Sequence, residues 1–140
     1  MMDMKERMNS GELYIDSGYG LPQQRLMGKA RAYEYNHSHP FNQELRNDII
    51  QRMFARVGKE CWIEPPINFA YGTHISIGDN FYANFNLTLV DDAEITIGNN
   101  VMFAPNVTIS TAGHPIHPDL RHTQQQFSLP VVIEDGVWLG

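Results

Sequence analysis

The feature that most constrains this chain is an internal repeat with a period of about twenty residues. The segment Ile75–Phe81 matches Ile95–Val101 in both leading Ile positions, in the Gly and in the second Asn. The similarity continues from Asn86–Leu89 to Asn106–Ile109, and a third copy begins at Val131–Val137. A fixed period of this size is the signature of an architecture in which similar units stack on one another.

Within each copy an apolar residue recurs at every sixth position. The positions are Ile77, Ala83, Leu89, Ile97, Phe103, Ile109, Ile133 and Leu139. This spacing fits neither an amphipathic helix nor an alternating strand. It fits short strands separated by tight bends, with one side chain in six directed at a common axis, as in a parallel β-helix. Gly78 and Gly98 suit the bends because Gly tolerates left-handed backbone conformations. An ordinary β-meander is the alternative interpretation.

The N-terminal third has a helical pattern. Helices are predicted over Asp3–Ser10, over Gln23–Tyr35, and over a third stretch that ends at Gly58. The apolar positions of the second are Leu26, Ala30 and Tyr33, and those of the third are Leu45, Ile49, Ile50, Met53, Phe54 and Val57. A solenoid cannot bury its own flat ends. We therefore predict an N-terminal helical cap over residues 1–58 and a β-helix over 59–140.

Composition narrows the function classes. The chain has 140 residues, ten basic and sixteen acidic side chains, and a formal charge of −6. Because no window clusters Lys and Arg, nucleic acid is not expected as a partner. No apolar run approaches the ~20 residues that span a bilayer, and the first ten residues include charged side chains in place of an apolar signal core. No membrane association and a cytoplasmic location are therefore predicted. Cys61 is the only cysteine, which excludes an internal disulfide and a thiolate metal cage.

The six-residue register stops after His114 and resumes near Val131. The residues between, 115–130, contain three Pro, two His, an Arg and three consecutive Gln, and they are predicted to form an inserted loop. Loops longer than about twelve residues without structure of their own are usually functional or disordered. His114 lies at the root of this loop, and its imidazole has the pKa of a general base near neutral pH. The alternative is a surface or hydrogen-bonded structural histidine.

Several short motifs resemble those of one enzyme family. They are Tyr35–Pro40, Phe81–Thr88, Val90–Asp92, Ala104–Val107 and Gly113–Pro115, and the resemblance runs from residue 6 to residue 140. Together they are similar to the galactoside O-acetyltransferases, which group with the maltose acetyltransferases among hexapeptide-repeat acyltransferases. The resemblance implies a left-handed β-helix and a homotrimer with active sites between subunits. It also implies acetyl transfer from acetyl-CoA to a sugar hydroxyl, with no metal.

The same resemblance assigns roles to individual residues. His114 matches the family's catalytic histidine, which takes the proton of the acceptor hydroxyl as its oxygen attacks the thioester carbonyl, without a covalent enzyme intermediate. Asn84 and Asp92 match positions that hold the acceptor, and an amide and a carboxylate are suited to orienting several hydroxyls. As alternatives, Asn84 is a bend residue and Asp92 a solvated turn acid.

Further matching positions carry less distinctive side chains. Asp16, Arg25 and Tyr82 match the lining of the acceptor pocket; a helix cap, a surface charge and a packing aromatic are the alternatives for them. Ala70 stands where the galactoside enzymes have a hydroxyl residue that contacts the sugar, which changes the expected acceptor preference. Trp138 and Gly140 match the edge of the coenzyme groove.

The family's oxyanion amide and coenzyme-binding coils follow the position of Gly140. The sequence therefore predicts the first two thirds of an acetyltransferase. An inactive molecule is the alternative if the protein ends there, because oxyanion stabilisation is often the largest catalytic contribution. The first alternative function is accordingly a non-catalytic trimeric remnant. The second is a zinc β-helix of the carbonic-anhydrase kind using His114, His117 and His122. Two of these lie in the loop, where a tetrahedral site is hard to fix.

Overall fold

The computed structural model describes residues 1–140 as four helices and thirteen short strands. The helices are α1 (Met4–Met8), α2 (Leu21–Asn36), α3 (Gln43–Met53) and α4 (Pro118–Arg121). The strands are β1 (Arg56–Val57), β2 (Trp62–Ile63), β3 (Ile67–Phe69), β4 (Ile75–Ile77), β5 (Tyr82–Ala83), β6 (Leu87–Val90), β7 (Ile95–Ile97), β8 (Met102–Phe103), β9 (Thr108–Ser110), β10 (Ala112–Gly113), β11 (Phe127–Ser128), β12 (Val131–Ile133) and β13 (Trp138–Leu139). No helix has both the length and the apolar character needed to cross a membrane.

Eleven of the strands are arranged so that the chain passes through three parallel sheets in turn. The sheet orders are β1-β4-β7-β12, β2-β5-β8-β13 and β3-β6-β9; β10 and β11 form a separate pair. Within the first sheet, Ile75 pairs with Ile95 and Ile77 with Ile97, so one circuit, here called a coil, takes twenty residues. The predicted repeat is confirmed, and the β-meander is wrong because these sheets are parallel.

The six-residue apolar positions form the interior of the coils. Ile77, Ala83, Leu89, Ile97 and Phe103 are all at most 2% exposed. These side chains belong to one buried apolar cluster, and outward positions between them are more exposed. Burying an aliphatic or aromatic side chain contributes about 1.5–3 kcal/mol, so this stack is the main stabilising element of the coils. The last predicted positions are only partly buried: Ile109, Ile133 and Leu139.

One bend recurs in successive coils with a glycine at its first position. We call it the repeat corner: Gly58–Cys61, Gly78–Phe81 and Gly98–Val101. The left-handed residues there are Glu60, Asn80 and Asn100, with φ of 57°, 57° and 56°, and not the glycines. Gly78 is required for another reason, because a Cβ there would lie 2.8 Å from the carbonyl carbon of the glycine one coil later. The bends are as predicted, but the role of the glycines is close approach of neighbouring backbones.

Helices α2 and α3 pack on the first coil, with boundaries and faces that differ from the expected ones. Leu26 and Tyr33 are 65% and 67% exposed, so the predicted apolar stripe of α2 was wrong. The buried face of α2 instead carries Gly28 and Ala32, because small residues let the helix backbone approach the coil. Helix α3 ends at Met53, and Val57, assigned above to the third helix, lies in strand β1.

The segment 115–130 is more ordered than a plain loop. It contains α4, and β11 pairs antiparallel with β10, joining Gly113 to Phe127. Tyr14, from the N-terminal segment, forms a further antiparallel bridge with Gln126. The segment therefore folds back onto the coils and meets the N-terminal residues at one place.

Candidate active site

A second corner of the coils departs from the repeat. We call it the site corner: Ala70–His74, Asp91–Glu94 and Thr111–His114, which follow β3, β6 and β9. Its three turns differ in sequence, and it carries buried polar side chains. Buried polar groups require partners, because an unpaired one costs about 1–3 kcal/mol. The partners of these groups define the site.

Asp91 is fully buried and organises the turn of the preceding coil. Its Oδ1 accepts hydrogen bonds from the backbone N–H of Ala70 at 3.0 Å and of Tyr71 at 2.8 Å. Its Oδ2 accepts from the N–H of Gly72 at 2.8 Å and of His74 at 3.4 Å. Burial raises the pKa of Asp91 above its ordinary value, and the N–H donors and His74 oppose that rise. One carboxylate therefore fixes a whole turn.

Asp92 does not share the partners of Asp91. It is 6% exposed, so the alternative of a solvated turn acid is wrong. Its Oδ2 accepts from the side-chain amide of Gln126 and, at 3.4 Å, from the Tyr14 hydroxyl. The same Gln126 amide donates to the Tyr14 oxygen at 2.8 Å, and that oxygen lies 3.0 Å from Ser128 Oγ. Burial raises the pKa of Tyr14, so it stays a neutral hydroxyl at physiological pH.

Arg25 extends from α2 to the same corner. Its Nη1 lies 3.4 Å from Asp16 Oδ2, and it donates to the Asp16 carbonyl oxygen at 3.1 Å and to the Tyr71 hydroxyl at 2.9 Å. The guanidinium also lies over the Tyr71 ring, 5.7 Å from its centroid. Burial raises the pKa of Tyr71 to about 12, although Arg25 acts in the opposite direction. The pair of Asp16 and Arg25 is thus fixed at the wall of the site.

His114 lies at the mouth of an open cleft of about 570 Å³. The cleft is lined by Asp16, His114, Arg121, Gln124 and Gln126. The imidazole is exposed, and its one polar contact is from Nδ1 to the Gln125 carbonyl oxygen at 3.4 Å. Nε2 is left without a protein partner, so this nitrogen is available to accept a proton from a bound molecule. A larger cleft, between α3 and the first coil, contains none of the predicted site residues.

The predicted site residues fall into two groups. Asp16, Arg25, Ala70, Asp92 and His114 belong to the site corner or line its cleft. The other group, Tyr82, Asn84, Trp138 and Gly140, lies in or beside the β2-β5-β8-β13 sheet or its following bend.

Within one chain, no hydrogen bond and no shared cleft connects the residues of the second group with His114. Asn84 Oδ1 accepts from the N–H of Phe85 at 2.8 Å, as the bend alternative predicted. Trp138 is 67% exposed, and a Cβ on Gly140 would lie 2.6 Å from its indole. A single chain therefore assembles only part of the predicted residue set.

Four residues that build the site carry no recognisable signal in the sequence: Tyr14, Tyr71, Asp91 and Gln126. Asp91 is half of an Asp-Asp pair, but nothing in the sequence indicates which acid bonds to the backbone of the turn and which to Gln126. Gln126 is one of three consecutive Gln, and Tyr14 is 112 residues away from it in the chain. The structure gathers no three His, Cys, Asp or Glu residues into a group that could hold a metal ion.

Comparison with known proteins agrees with this architecture. A family model described as the maltose acetyltransferase hexapeptide capping motif matches residues 7–58. The chain is 53% identical to a galactoside O-acetyltransferase of Escherichia coli, over 99% of this chain and 68% of the relative. It is 40% identical to a galactoside O-acetyltransferase of Lactococcus lactis, over 99% of this chain and 68% of that protein.

Solved structures give the same result. A galactoside acetyltransferase in complex with coenzyme A matches with a TM-score of 0.89 and 50% identity, over 100% of this chain and 76% of that one. A maltose O-acetyltransferase from Clostridium difficile matches with a TM-score of 0.88 and 35% identity, over 98% and 80%. Parallel hexapeptide coils with a histidine at a carboxylate-lined cleft define the class of hexapeptide-repeat acetyltransferases. Within that class, the chain belongs to the galactoside O-acetyltransferase family.

Proposed function

We propose that the protein transfers the acetyl group of acetyl-CoA to a hydroxyl of a galactoside or related sugar, with His114 as the general base. The observation that carries this proposal is the free Nε2 of an exposed imidazole at a cleft shared with Asp16 and Gln126. The donor follows from the solved relatives, one a complex with coenzyme A and another, from Vibrio cholerae, a complex with acetyl-CoA.

The reaction uses His114 twice. Nε2 accepts the proton of the sugar hydroxyl while the sugar oxygen bonds to the thioester carbonyl carbon. The resulting tetrahedral species breaks its carbon–sulfur bond, and the leaving sulfur takes the proton from the imidazolium. The sugar ester and the free thiol are the products, and no bond to the protein forms. General base assistance of this kind contributes about 10²–10⁴-fold in rate.

Acceptor binding is assigned to the polar wall of the cleft. Asp16, held by Arg25, and Asp92, held by Gln126, supply carboxylate acceptors for sugar hydroxyls. Ala70 provides no hydroxyl at the turn beside them, and one lost hydrogen bond costs about 1 kcal/mol. We therefore expect acceptors that do without that contact to compete well with galactosides.

The separation of the predicted residues into two groups supports a homotrimer. Tyr82, Asn84 and Trp138 lie in or directly after strands of the β2-β5-β8-β13 sheet, whereas the site corner follows β3, β6 and β9. In a trimer with sites between subunits, one chain supplies this group and its neighbour supplies His114 and Asp92, with acetyl-CoA along Trp138 and Gly140. The same proposal includes a left-handed coil over residues 59–140, a helical cap over 1–58, and a cytoplasmic location, where acetyl-CoA is available.

The proposal is tested first by substituting the base. His114→Ala should lower kcat by about 10²–10⁴-fold, measured as release of free thiol from acetyl-CoA with isopropyl-thiogalactoside as acceptor. His117→Ala is the matched control, because this exposed histidine of the same segment contacts only Asp119. Undiminished turnover by His114→Ala would contradict the assignment. No thiol release by the unsubstituted protein would favour the non-catalytic remnant.

The shared site is tested by mixing subunits. His114→Ala and Asn84→Ala proteins, each of low activity, are unfolded together and refolded, so that some interfaces combine an intact His114 with an intact Asn84. Recovery of a fraction of the original activity is expected. His114→Ala mixed with Asp92→Asn should recover nothing, because both changes fall in the same corner. Equal results from the two mixtures would overturn the intersubunit arrangement.

A further inference from the structure

The turn Ala70–His74 has one organiser, the carboxylate of Asp91. All four of its hydrogen bonds go to backbone N–H groups of this turn, and the carboxylate is fully buried. The repeat corner offers a direct comparison, since Asp79 accepts one backbone N–H, that of Lys59, and is exposed. A bend of this coil therefore forms with one such bond, and the additional bonds of Asp91 require another explanation.

The same turn sets the position of helix α2. A Cβ on Gly28 would lie 2.2 Å from the carbonyl oxygen of Tyr71, so the helix backbone rests directly on the turn. Arg25 precedes Gly28 by three residues, which places both on one face of the helix. From there, Arg25 donates to the Tyr71 hydroxyl at 2.9 Å and pairs with Asp16. The turn therefore affects the position of Arg25 in two ways: its backbone supports helix α2 at Gly28, and its Tyr71 side chain bonds to the guanidinium.

We propose that Asp91 is a positioning residue for the acceptor pocket: by fixing the turn Ala70–His74, it places Tyr71, and through Tyr71 it places Arg25 and Asp16. The proposal rests on the proposed function in assigning the pocket to the sugar acceptor. Asp91 touches no substrate. It acts at a distance, whereas the neighbouring Asp92 accepts a hydrogen bond from Gln126, a residue that lines the cleft.

The chemistry of an Asn in this position makes the proposal testable. Asp91→Asn keeps one acceptor oxygen and directs an NH₂ group at backbone N–H donors, so at least one pair of the four bonds is lost and the turn has to shift. The KM for the sugar acceptor should rise by about tenfold or more, since the pocket wall moves. The KM for acetyl-CoA should stay within about twofold, because the coenzyme is assigned to the sheet carrying Trp138.

Two further variants separate positioning from general damage. Tyr71→Phe removes only the hydroxyl that Arg25 contacts, so it should raise the acceptor KM by a smaller factor, about threefold, without moving the KM for acetyl-CoA. Asp79→Asn is the control, because it alters the corner carboxylate that lies away from the site. It should leave both KM values unchanged. Equal rises in both KM values for Asp91→Asn, or an unchanged acceptor KM, would overturn the proposal.

A structural readout keeps this test independent of the proposed function. If the unsubstituted protein acetylates no sugar, the proposed function fails, and the positioning claim is judged by the crystal structure of Asp91→Asn. There, Arg25 Nη1 should lie outside hydrogen-bond distance of the Tyr71 hydroxyl, and the turn should be displaced. An unmoved turn with the contact from Arg25 to Tyr71 intact would show that Asp91 positions nothing.

Discussion

The repeat corner and the site corner close the same coils by different means. At the repeat corner each turn bonds to the next in the same way: the N–H of Asp79 donates to Asn99 Oδ1 at 2.7 Å, and that of Asn99 to Asp135 Oδ1 at 2.7 Å. At the site corner every turn has its own partner, such as Thr111, whose hydroxyl donates to the Val90 carbonyl oxygen and accepts from the Ala93 N–H. Turns that share one bonding pattern and turns that do not therefore give the same coil path.

The difference indicates where repetition is needed. A coil requires only that its backbone donors and acceptors at each bend be satisfied. At the repeat corner, Asn and Gly residues satisfy these backbone groups on an exposed edge. At the site corner, buried acids and a hydroxyl satisfy them, and the acids also fix Tyr71 and Gln126. Substitutions in the coil interior and the repeat corner should therefore change stability, and those in the site corner should change kinetics.

The largest effect is expected in the interior shared by both corners. Ile97→Ala should lower the free energy of unfolding by about 2–5 kcal/mol, because Ile97 is 2% exposed and its removal leaves a cavity. Chemical denaturation measures this loss, with exposed Thr96→Ala as a control expected within about 0.5 kcal/mol of the unsubstituted protein. If the folded fraction of Ile97→Ala has an altered acceptor KM, the division between stability and kinetics fails.

A smaller loss is expected from crowding the repeat corner. Gly78→Ala places a Cβ 2.4 Å from Asn99 Oδ1 and 2.8 Å from the Gly98 backbone, which should cost about 1–3 kcal/mol of unfolding free energy. Gly18→Ala is the matched control, since a Cβ there meets nothing within 4 Å. Denaturation midpoints of the two variants give the comparison. Equal midpoints would mean that neighbouring coils can separate at this corner without cost.

In the site corner the expected effect is kinetic. Gln126→Leu removes the amide that donates to Asp92 and Tyr14, so the acceptor KM should rise by about fivefold to tenfold, near 1 kcal/mol. Thiol-release assays over a range of acceptor concentrations measure it. Gln125→Leu is the control, because that side chain bonds only to Thr123. A larger acceptor KM for Gln125→Leu than for Gln126→Leu would reverse the assignment.

The smallest effect, on the free energy of unfolding, should come from removing one side-chain hydrogen bond of the repeat corner. Asn80→Ala loses the bond from its side-chain amide to Asn100 Oδ1 and puts Ala at a φ of 57°. The expected loss is about 1 kcal/mol of unfolding free energy. Asn80→Gly removes the same bond but tolerates the backbone angle, so its loss should be smaller. The difference between the two variants measures the backbone contribution alone.

The sequence predicts the coils well because their cause is local. Every apolar residue from Ile77 to Phe103 in the six-residue series is buried, since strand and bend lengths alone direct it inward. The faces of α2 were mispredicted because Gly28 and Ala32 are small and give no apolar signal, yet they mark the contact with the coil. Packing against a particular surface decided that face, and no period within the helix encodes it.

The candidate site was predicted only in part, because some of its contacts also depend on tertiary packing. Motif similarity located His114 and Asp92, but Tyr14 and Gln126 meet only when the N-terminal segment and the segment 115–130 both fold onto the site corner. Such a meeting depends on tertiary contacts across most of the chain. Asn84 follows β5, which lies in a different sheet from the β9 strand before His114, so the role proposed for Asn84 requires a neighbouring chain.

The twenty-residue register gives the coil a fixed unit of growth. Each added unit lengthens the stack by one strand spacing, about 4.8 Å, and leaves every existing pairing in place. In-frame duplication or deletion of one unit is thus a single genetic event that keeps the fold. Insertion or deletion of one or two residues inside a strand would instead shift the register of all three sheets. Length variation among related genes should accordingly occur in whole units or at corners, as the segment between His114 and Val131 already illustrates.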